Sequence, residues 1–211
     1  VLPVVALLEL GWLALKDNPA DITIRAGQKA SLTLWAKLQP ASFDVRVLHV
    51  ETKLEVSGAK LKVGEHEYDH PVMREDEYAM KSLEALRIDI GAIVDLETWK
   101  LLDDNPTQIT VRPGEHTSAT LWAKLKPASF DVRVLDVNTK EVIESAKIKV
   151  GDQEYAAPEV SVEEYKMSSP QEVLPVVALL ELGWLALKDN PADITIRAGQ
   201  KASLTLWAKL Q

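Results

Sequence analysis

The chain has 211 residues, a formal net charge of −8 and no cysteine, with 46% hydrophobic and 27% charged residues. These proportions are those of a folded protein, and the acidic balance argues against a nucleic-acid partner. The lack of cysteine excludes disulfides, thiol catalysis and cysteine-ligated metal, and no apolar run is long enough to predict a transmembrane segment.

The chain begins and ends with the same sequence. Val1–Gln39 returns without a substitution as Val173–Gln211. A diverged copy lies between them, since "KDNPADITIRAGQKASLTLWAKLQPASFDVRVL" starts at Lys16 and "DDNPTQITVRPGEHTSATLWAKLKPASFDVRVL" starts at Asp103. Two versions of a unit of about 86 residues, A and B, therefore alternate. We expect a periodic molecule whose A–B unit is about 172 residues long.

Alternating apolar and polar residues predict short β-strands within each unit. The segments "ITI" and "SLTLWAKL" flank a turn at Ala26–Gly27, and Pro113–Gly114 occupies the same place in the middle copy. These segments form either a β-hairpin or two consecutive strands. Further strands are predicted at "FDVRVLHV" (Phe43–Val50) and "AKLKVG" (Ala59–Gly64).

One segment departs from this alternation. In "VDLETWKLLDD", Leu96, Trp99 and Leu102 have helical spacing, which predicts a short helix near residues 95–104. Elsewhere the short strands and the frequent turn signals favour an all-β sandwich.

Two segments carry a resemblance to a known kind of domain. The segments "VRVLDVNTKEVIESAKIKVG" and "ITVRPGE…ATLWAKL" resemble strands that open and close the tandem immunoglobulin-like or transthyretin-like β-sandwich modules of prokaryotic cell-surface proteins. The resemblance implies an all-β fold, an extracellular or cell-surface location, and a role in stalks, surface layers, adhesins or filaments. The Cys…Trp…Cys core of antibody domains is absent, because the chain has no cysteine.

The repeats leave two ways to place the domain boundaries. The chain holds three copies of the "DNP…LWAKL" half and only two of the "FDVRV…GxxEY" half. One division gives a type-A half-repeat at residues 1–39 and sandwiches at 40–126 and 127–211. The other gives sandwiches at 1–81 and 86–168 and an orphan half at 173–211. An orphan half exposes an apolar face and unpaired strand edges, so we expect a neighbouring chain or repeat to complete it.

The six tryptophans fall into two sets that follow the repeat. The sets are Trp12, Trp99 and Trp184, and Trp35, Trp122 and Trp207. The first set has apolar neighbours and is predicted to be core. In "SLTLWAKL" the alternation places the tryptophan on the face opposite the leucines, beside Thr and Lys. We predict that the second set forms an interface, with cover by a loop of the same domain or a carbohydrate platform as alternatives.

Candidate metal ligands are few. His66 and His70 stand among acidic residues after a predicted strand, and acidic segments occupy residues 74–77 and 161–164. Such groups are of the kind that bind metal ions, Ca²⁺ among them. Solvated loops and ordinary surface carboxylates are the preferred interpretation, so we expect no metal and no cofactor.

No motif for a nucleophile, a phosphate loop or a catalytic triad is present, so we expect no enzyme. The sequence predicts a structural repeat protein that forms a rod, stalk, surface layer or extracellular filament. Its predicted partner is itself, as a homopolymer or as adjacent repeats of a longer chain. The alternative function is an adhesin or carbohydrate-binding module that uses the surface tryptophans.

Overall fold

The computed structural model describes residues 1–211, which form β-strands and turns without a helix. The strands are β1 (Leu2–Pro3), β2 (Trp12–Ala14), β3 (Asp21–Ile22), β4 (Ala36–Leu38), β5 (Ala41–His49), β6 (Lys60–Val63), β7 (His66–Tyr68), β8 (Val72–Tyr78), β9 (Leu86–Ile93), β10 (Trp99–Leu101), β11 (Gln108–Val111), β12 (His116–Leu125), β13 (Ala128–Asp136), β14 (Lys147–Val150), β15 (Gln153–Tyr155), β16 (Glu159–Tyr165), β17 (Gln171–Leu179), β18 (Trp184–Ala186), β19 (Asp193–Arg197) and β20 (Lys201–Leu210). No helix that could cross a membrane is found.

The chain divides into two compact units. Unit 1 comprises Val1–Ile93 with Leu101–Trp122, and unit 2 comprises Val94–Lys100 with Ala123–Gln211. The domain boundaries drawn from the repeats stay predictions.

Two four-stranded sheets are formed by β5 to β12. One has the strand order β10-β12-β5-β8 and the other β11-β9-β6-β7. Alternate residues of these strands are buried, among them Phe43, Val45, Leu61 and Val111. Residues of one parity thus line the core between the sheets while the others face outward.

The strands β13 to β20 repeat this arrangement in unit 2. Their sheets have the orders β16-β13-β20-β18 and β15-β14-β17-β19. Both sheets supply the core, which includes Phe130, Val132, Ile148, Ile196 and Leu206. The predicted all-β sandwich fold is therefore confirmed.

The first and last strands of unit 2's sandwich are parallel neighbours. β13 pairs with β20 in parallel from Ser129↔Lys201 to Asp136↔Ala208, whereas its other neighbour, β16, is antiparallel.

The helix predicted near residues 95–104 is wrong. The segment forms a turn followed by the short strand β10, which joins the sheet beside β12. The Asp95 carboxylate accepts hydrogen bonds from the backbone N–H of Glu97 (3.0 Å) and the hydroxyl of Thr98 (2.6 Å), which fixes the turn. Trp99 is buried but Leu96 is 68% exposed, so the two residues do not share an apolar face.

The glycine turn before β12 separates strands of different sheets. β11 lies beside β9, whereas β12 lies between β10 and β5, so the two are consecutive strands rather than a hairpin. Gly114 adopts a φ of 75°, a conformation that glycine reaches without strain. Gly27 and Gly199 take the same place in the other copies, with φ values of 74° and 75°.

Residues 1–39 form two small sheets, β1 with β3 and β2 with β4. Most of their apolar side chains are exposed, including Val5, Leu7, Leu10 and Ile24. The identical sequence at the other end of the chain forms the four strands β17 to β20. The same sequence therefore forms longer strands at the end of the chain than at its start.

Candidate functional site

The parallel pairing of the first and last strands is the candidate functional element of each sandwich. In unit 2 the Ser129 backbone N–H donates to the Gln200 carbonyl at 3.0 Å. The equivalent bond between β5 and β12 joins the Ser42 N–H to the Glu115 carbonyl, also at 3.0 Å. Ser42 contacts His116 and Asp44 contacts Ser118. Because residue numbers rise together along both strands, β5 and β12 also run in the same direction.

Polar side chains bridge the β5–β12 pair around the buried carboxylate of Asp44. That carboxylate accepts hydrogen bonds from the Ser118 hydroxyl (2.6 Å) and the Arg46 guanidinium (2.6 Å), and His116 Nε2 lies 2.9 Å away. Burial opposes ionisation, but the bonds from Ser118 and Arg46 outweigh it and hold the pKa of Asp44 below its ordinary value. The cluster therefore holds a carboxylate across the two strands.

Ser42, His116 and Asp44 form a chain of hydrogen bonds that sequence spacing did not indicate. The Ser42 hydroxyl lies 2.9 Å from His116 Nδ1, while Asp44 lies on the other ring nitrogen. An ionised carboxylate only accepts, so the imidazole donates to it from Nε2. The three residues line an open groove of about 930 Å³ on the sheet face.

The second sandwich shows which part of this arrangement the two repeats share. At the position of His116 it carries Lys201, whose ammonium lies 2.8 Å from the Asp131 carboxylate. Hydrogen bonds from Lys201 and Ser161 lower the pKa of Asp131. The shared feature is thus a basic residue on the last strand paired with an aspartate on the first. A serine–histidine–aspartate relay is absent from this repeat, so the relay is not what the two sandwiches share.

The predicted interface tryptophans occupy two environments. Trp122 and Trp207 are half-buried, and one ring face of each is covered by a lysine from the loop after the first strand. Lys53 Nζ lies 4.2 Å from the Trp122 ring centroid, and Lys140 Nζ lies 4.5 Å from that of Trp207. Trp35 is 64% exposed. Their role as an interface stays a prediction.

An asparagine side chain binds the backbone of each of these tryptophans. Asn105 Oδ1 accepts from the Trp122 N–H at 2.6 Å, and Asn105 Nδ2 donates to the Trp122 carbonyl at 2.9 Å. Asn190 and Trp207 repeat the contact, as do Asn18 and Trp35. The sequence indicated only a turn at each "DNP". In the structure, the asparagine side-chain amide of this motif also forms a pair of hydrogen bonds with the backbone of the tryptophan.

The structure does not gather the candidate metal ligands. No group of three or more His, Asp or Glu side chains is placed to hold a metal ion. The His70 ring stacks on Tyr68 with centroids 6.1 Å apart, and Asp69 pairs with Lys60 at 2.6 Å. In the acidic segment at 74–77, Arg74 binds Asp76.

The identical ends differ most in the burial of the same side chains. Ile24 is 55% exposed, but its counterpart Ile196 is fully buried. Ala36 is exposed and Leu34 half-buried, whereas their counterparts Ala208 and Leu206 lie in the core. The apolar face of residues 1–39 is therefore an open surface whose sequence is capable of forming a core.

No protein-family model and no curated sequence matches the chain. Among solved structures, it is similar to the Bacillus anthracis TIE protein, with a TM-score of 0.55 and 14% identity over 86% of this chain and 38% of that chain. The shaft pilin SpaA from Lactobacillus rhamnosus GG gives a TM-score of 0.32 at 8% identity, over 82% of this chain and 98% of that chain. The minor pilin GBS52 of Streptococcus agalactiae gives 0.31 at 10% identity, over 80% and 96%. The chain thus spans less than half of the TIE protein, and the likeness to that protein shows a shared all-β fold.

Proposed function

We propose that this chain is a structural protein of an extracellular filament, stalk or surface layer, and that its sandwiches carry tension. The observation that carries the proposal is the parallel pairing of β13 with β20 over the register Ser129↔Lys201 to Asp136↔Ala208. A protein that spaces other molecules away from a surface needs domains that stay folded when their ends are pulled apart.

The direction of the strands decides how a pulling force acts. Because β13 and β20 are parallel, the start of β13 and the end of β20 lie at opposite ends of their ladder. Tension applied at residues 127 and 211 then slides one strand along the other and loads the backbone hydrogen bonds together. A force that separated the strands from one end would load those bonds one after another, and a single bond contributes only about 1 kcal/mol.

Side chains reinforce the same two strands. The Lys201 ammonium binds Asp131 at 2.8 Å, and the Arg133 guanidinium donates to the Thr205 hydroxyl at 3.1 Å. These contacts cross the ladder on its outer face, so they too resist sliding. The partner that we propose is the chain itself, as adjacent repeats or neighbouring molecules, and the proposed role is not enzymatic.

The likeness to the fold of the TIE protein agrees with a sandwich protein. An adhesin that uses tryptophan platforms finds less support. Lys53 and Lys140 each cover one ring face of Trp122 and Trp207, and a carbohydrate would have to displace them.

The test is single-molecule force spectroscopy of the full chain with handles on introduced cysteines. The protein has no cysteine of its own, so each pair is attached uniquely. A pair at Pro127 and Gln211 shears β13 against β20, and a pair at Pro127 and Gln200 peels them from one end. Complete unfolding between residues 127 and 211 should add roughly 250 to 300 Å of contour length, at about 3.5 Å per residue.

We expect the shearing pair to unfold at a force several-fold higher than the peeling pair at the same pulling speed. Equal forces for the two pairs would refute a tension-bearing role for this strand arrangement. Circular dichroism of both labelled variants, compared with the parent, controls for damage caused by the cysteines.

A further inference from the structure

Residues Val1–Gln39, here called the acceptor half, already hold the internal pairing of their completed copy. The β1–β3 register includes Leu2↔Ile22, and β17–β19 has the equivalent Leu174↔Ile194. The β2–β4 register likewise equals that of β18 with β20. The asparagine–tryptophan contact is also present in both copies. The acceptor half is therefore preformed in its native register.

The acceptor half lacks the strands that flank its copy. In unit 2, β13 pairs in parallel with residues 201–208, and β14 pairs antiparallel with residues 176–179. The equivalent residues 29–35 and 4–7 of the acceptor half form no strand. Unpaired edges of this kind accept an added strand readily, because backbone hydrogen bonds supply affinity and alternate side chains supply specificity.

Comparison with residues 173–211 identifies the side chains that are exposed in the acceptor half and covered in its copy. Ile24 is 55% exposed and Trp35 is 64% exposed, whereas Ile196 is fully buried and Trp207 is half-buried beneath Lys140. Leu7 is 95% exposed. Since the sequences are the same, the difference arises from the surroundings of the two copies, which include the neighbouring strands.

We propose that the acceptor half binds a polypeptide with the residues of the segment 127–172, here called the donor segment, supplied by another unit of the same repeat. The incoming β13 strand lies parallel to residues 29–36, and the β14 strand lies antiparallel to residues 4–7. Asp131 of the donor segment pairs with Lys29, as it does with Lys201 at 2.8 Å in unit 2. Lys140 of the donor segment covers Trp35, as it covers Trp207.

This inference rests on the proposed structural function and specifies the partner at one site. The chain's own donor segment is engaged with residues 173–211, so a free donor segment has to come from a further repeat unit. Two acceptor halves packed face to face are the competing occupant. They lack a strand of the β13 type, and such packing leaves the edge at residues 29–35 unpaired.

The experiment adds a synthetic polypeptide of residues 127–172 to the full chain. We expect binding with one polypeptide per chain by titration calorimetry. Hydrogen exchange should show new protection of the amides at residues 29–36, to the level of residues 201–208. The absence of binding, or binding without that protection, would overturn the proposal.

Matched variants locate the site. Ile24→Asp places a carboxylate at a position whose counterpart is fully buried, and it should weaken binding by at least about tenfold. Thr23→Asp alters the neighbouring residue, whose counterpart Thr195 is exposed in unit 2, and it should leave affinity unchanged. Affinity that is insensitive to Ile24→Asp would show that the polypeptide binds elsewhere, for example by strand exchange in unit 2.

Sedimentation velocity of the chain alone tests the competing occupant. A dimer that Ile24→Asp dissociates would identify a second acceptor half as the cover and would refute the donor segment. The force measurement on β13 and β20 does not involve the acceptor half. Failure of this inference is therefore distinguishable from failure of the proposed function.

Discussion

Lys140 places its ammonium 4.5 Å from the ring centroid of Trp207, and it does so from a backbone φ of 64°. Lys53 and Trp122 repeat the relationship at 4.2 Å with a φ of 61°. A lysine in the left-handed region carries a cost of roughly 1 to 2 kcal/mol that glycine avoids. The cation over the indole face offsets part of that cost.

The first prediction separates these two effects at Lys140. Lys140→Ala keeps the strained backbone and loses the cation, so it should destabilise unit 2 by about 0.5 to 1 kcal/mol. Lys140→Gly loses the cation but relieves the strain, so it should be more stable than Lys140→Ala by about 1 kcal/mol. The slowest-exchanging amides of β13 and β20 report the unfolding free energy of unit 2. Equal stability of the two variants would contradict the account.

The second prediction concerns the amide of Asn105. Asn105→Asp retains an acceptor for the Trp122 N–H but loses the donor to the Trp122 carbonyl, so two oxygens face each other. Asn105→Ala leaves both backbone groups without this partner. Each change should cost about 1 to 3 kcal/mol. Hydrogen exchange of the β12 amides measures the loss. Asn138→Asp, in an exposed turn, is the control and should stay within about 0.5 kcal/mol of the parent.

The third prediction is an acid sensitivity of the β5–β12 pair. The pKa of Asp44 is lower in the folded state than its ordinary value of 3.8. The unfolded state therefore binds the proton more tightly, and the stabilisation is present above the ordinary pKa. It is lost as the pH falls from about 4 through the folded-state pKa.

Asp44→Asn should remove this part of the pH dependence and cost about 1 to 3 kcal/mol at pH 7, since Arg46 and Ser118 lose their charged acceptor. Hydrogen exchange of β5 amides between pH 3 and pH 7, corrected for intrinsic exchange, measures both the loss of stability and its pH dependence. Asp76→Asn is the control, because the Arg74–Asp76 pair is exposed and exposed ion pairs contribute little to stability. An unchanged acid profile in Asp44→Asn would contradict the role given to this carboxylate.

The fourth prediction uses the same residue in the two identical segments. Ile196→Ala removes a fully buried side chain and should destabilise unit 2 by about 2 to 5 kcal/mol. Ile24→Ala changes a side chain that is 55% exposed and should alter stability by less than about 0.5 kcal/mol. Thermal unfolding of both variants and the parent tests the contrast. Similar losses in the two variants would mean that Ile24 is also covered.

Local pattern was sufficient to predict β5, because a strand that is buried on one face alternates in sequence. The strand "FDVRVLHV" was predicted at Phe43–Val50, and β5 runs from Ala41 to His49. Local pattern failed at residues 95–104. There Leu96, Trp99 and Leu102 have helical spacing, but Asp95 closes a turn and β10 pairs with β12. The spacing of Leu96, Trp99 and Leu102 carries no information about β12, the partner strand, which lies about twenty residues further along the chain.

Only part of the candidate site could be predicted from the sequence. The spacing of the tryptophans singled out the strands of Trp122 and Trp207, which are the last strands of the two sandwiches. Its parallel pairing with the first strand, the lysine over each covered ring and the asparagine amide behind it depend on contacts between distant residues. A signal was available for the amide, since "DNP" recurs at a constant distance before "LWAKL" in all three copies.

The sequence by itself determined the repeat, the all-β class and the alternation of each strand, because these follow from residue order and from the period of the pleat. Only the tertiary structure decided which identical segment becomes a full half-sandwich. Val173–Gln211 has β13 and β14 beside it and buries Ile196, whereas Val1–Gln39 has no such neighbours and leaves Ile24 open. A β-strand completes its hydrogen bonds with another strand, so its extent depends on the partner that lies next to it.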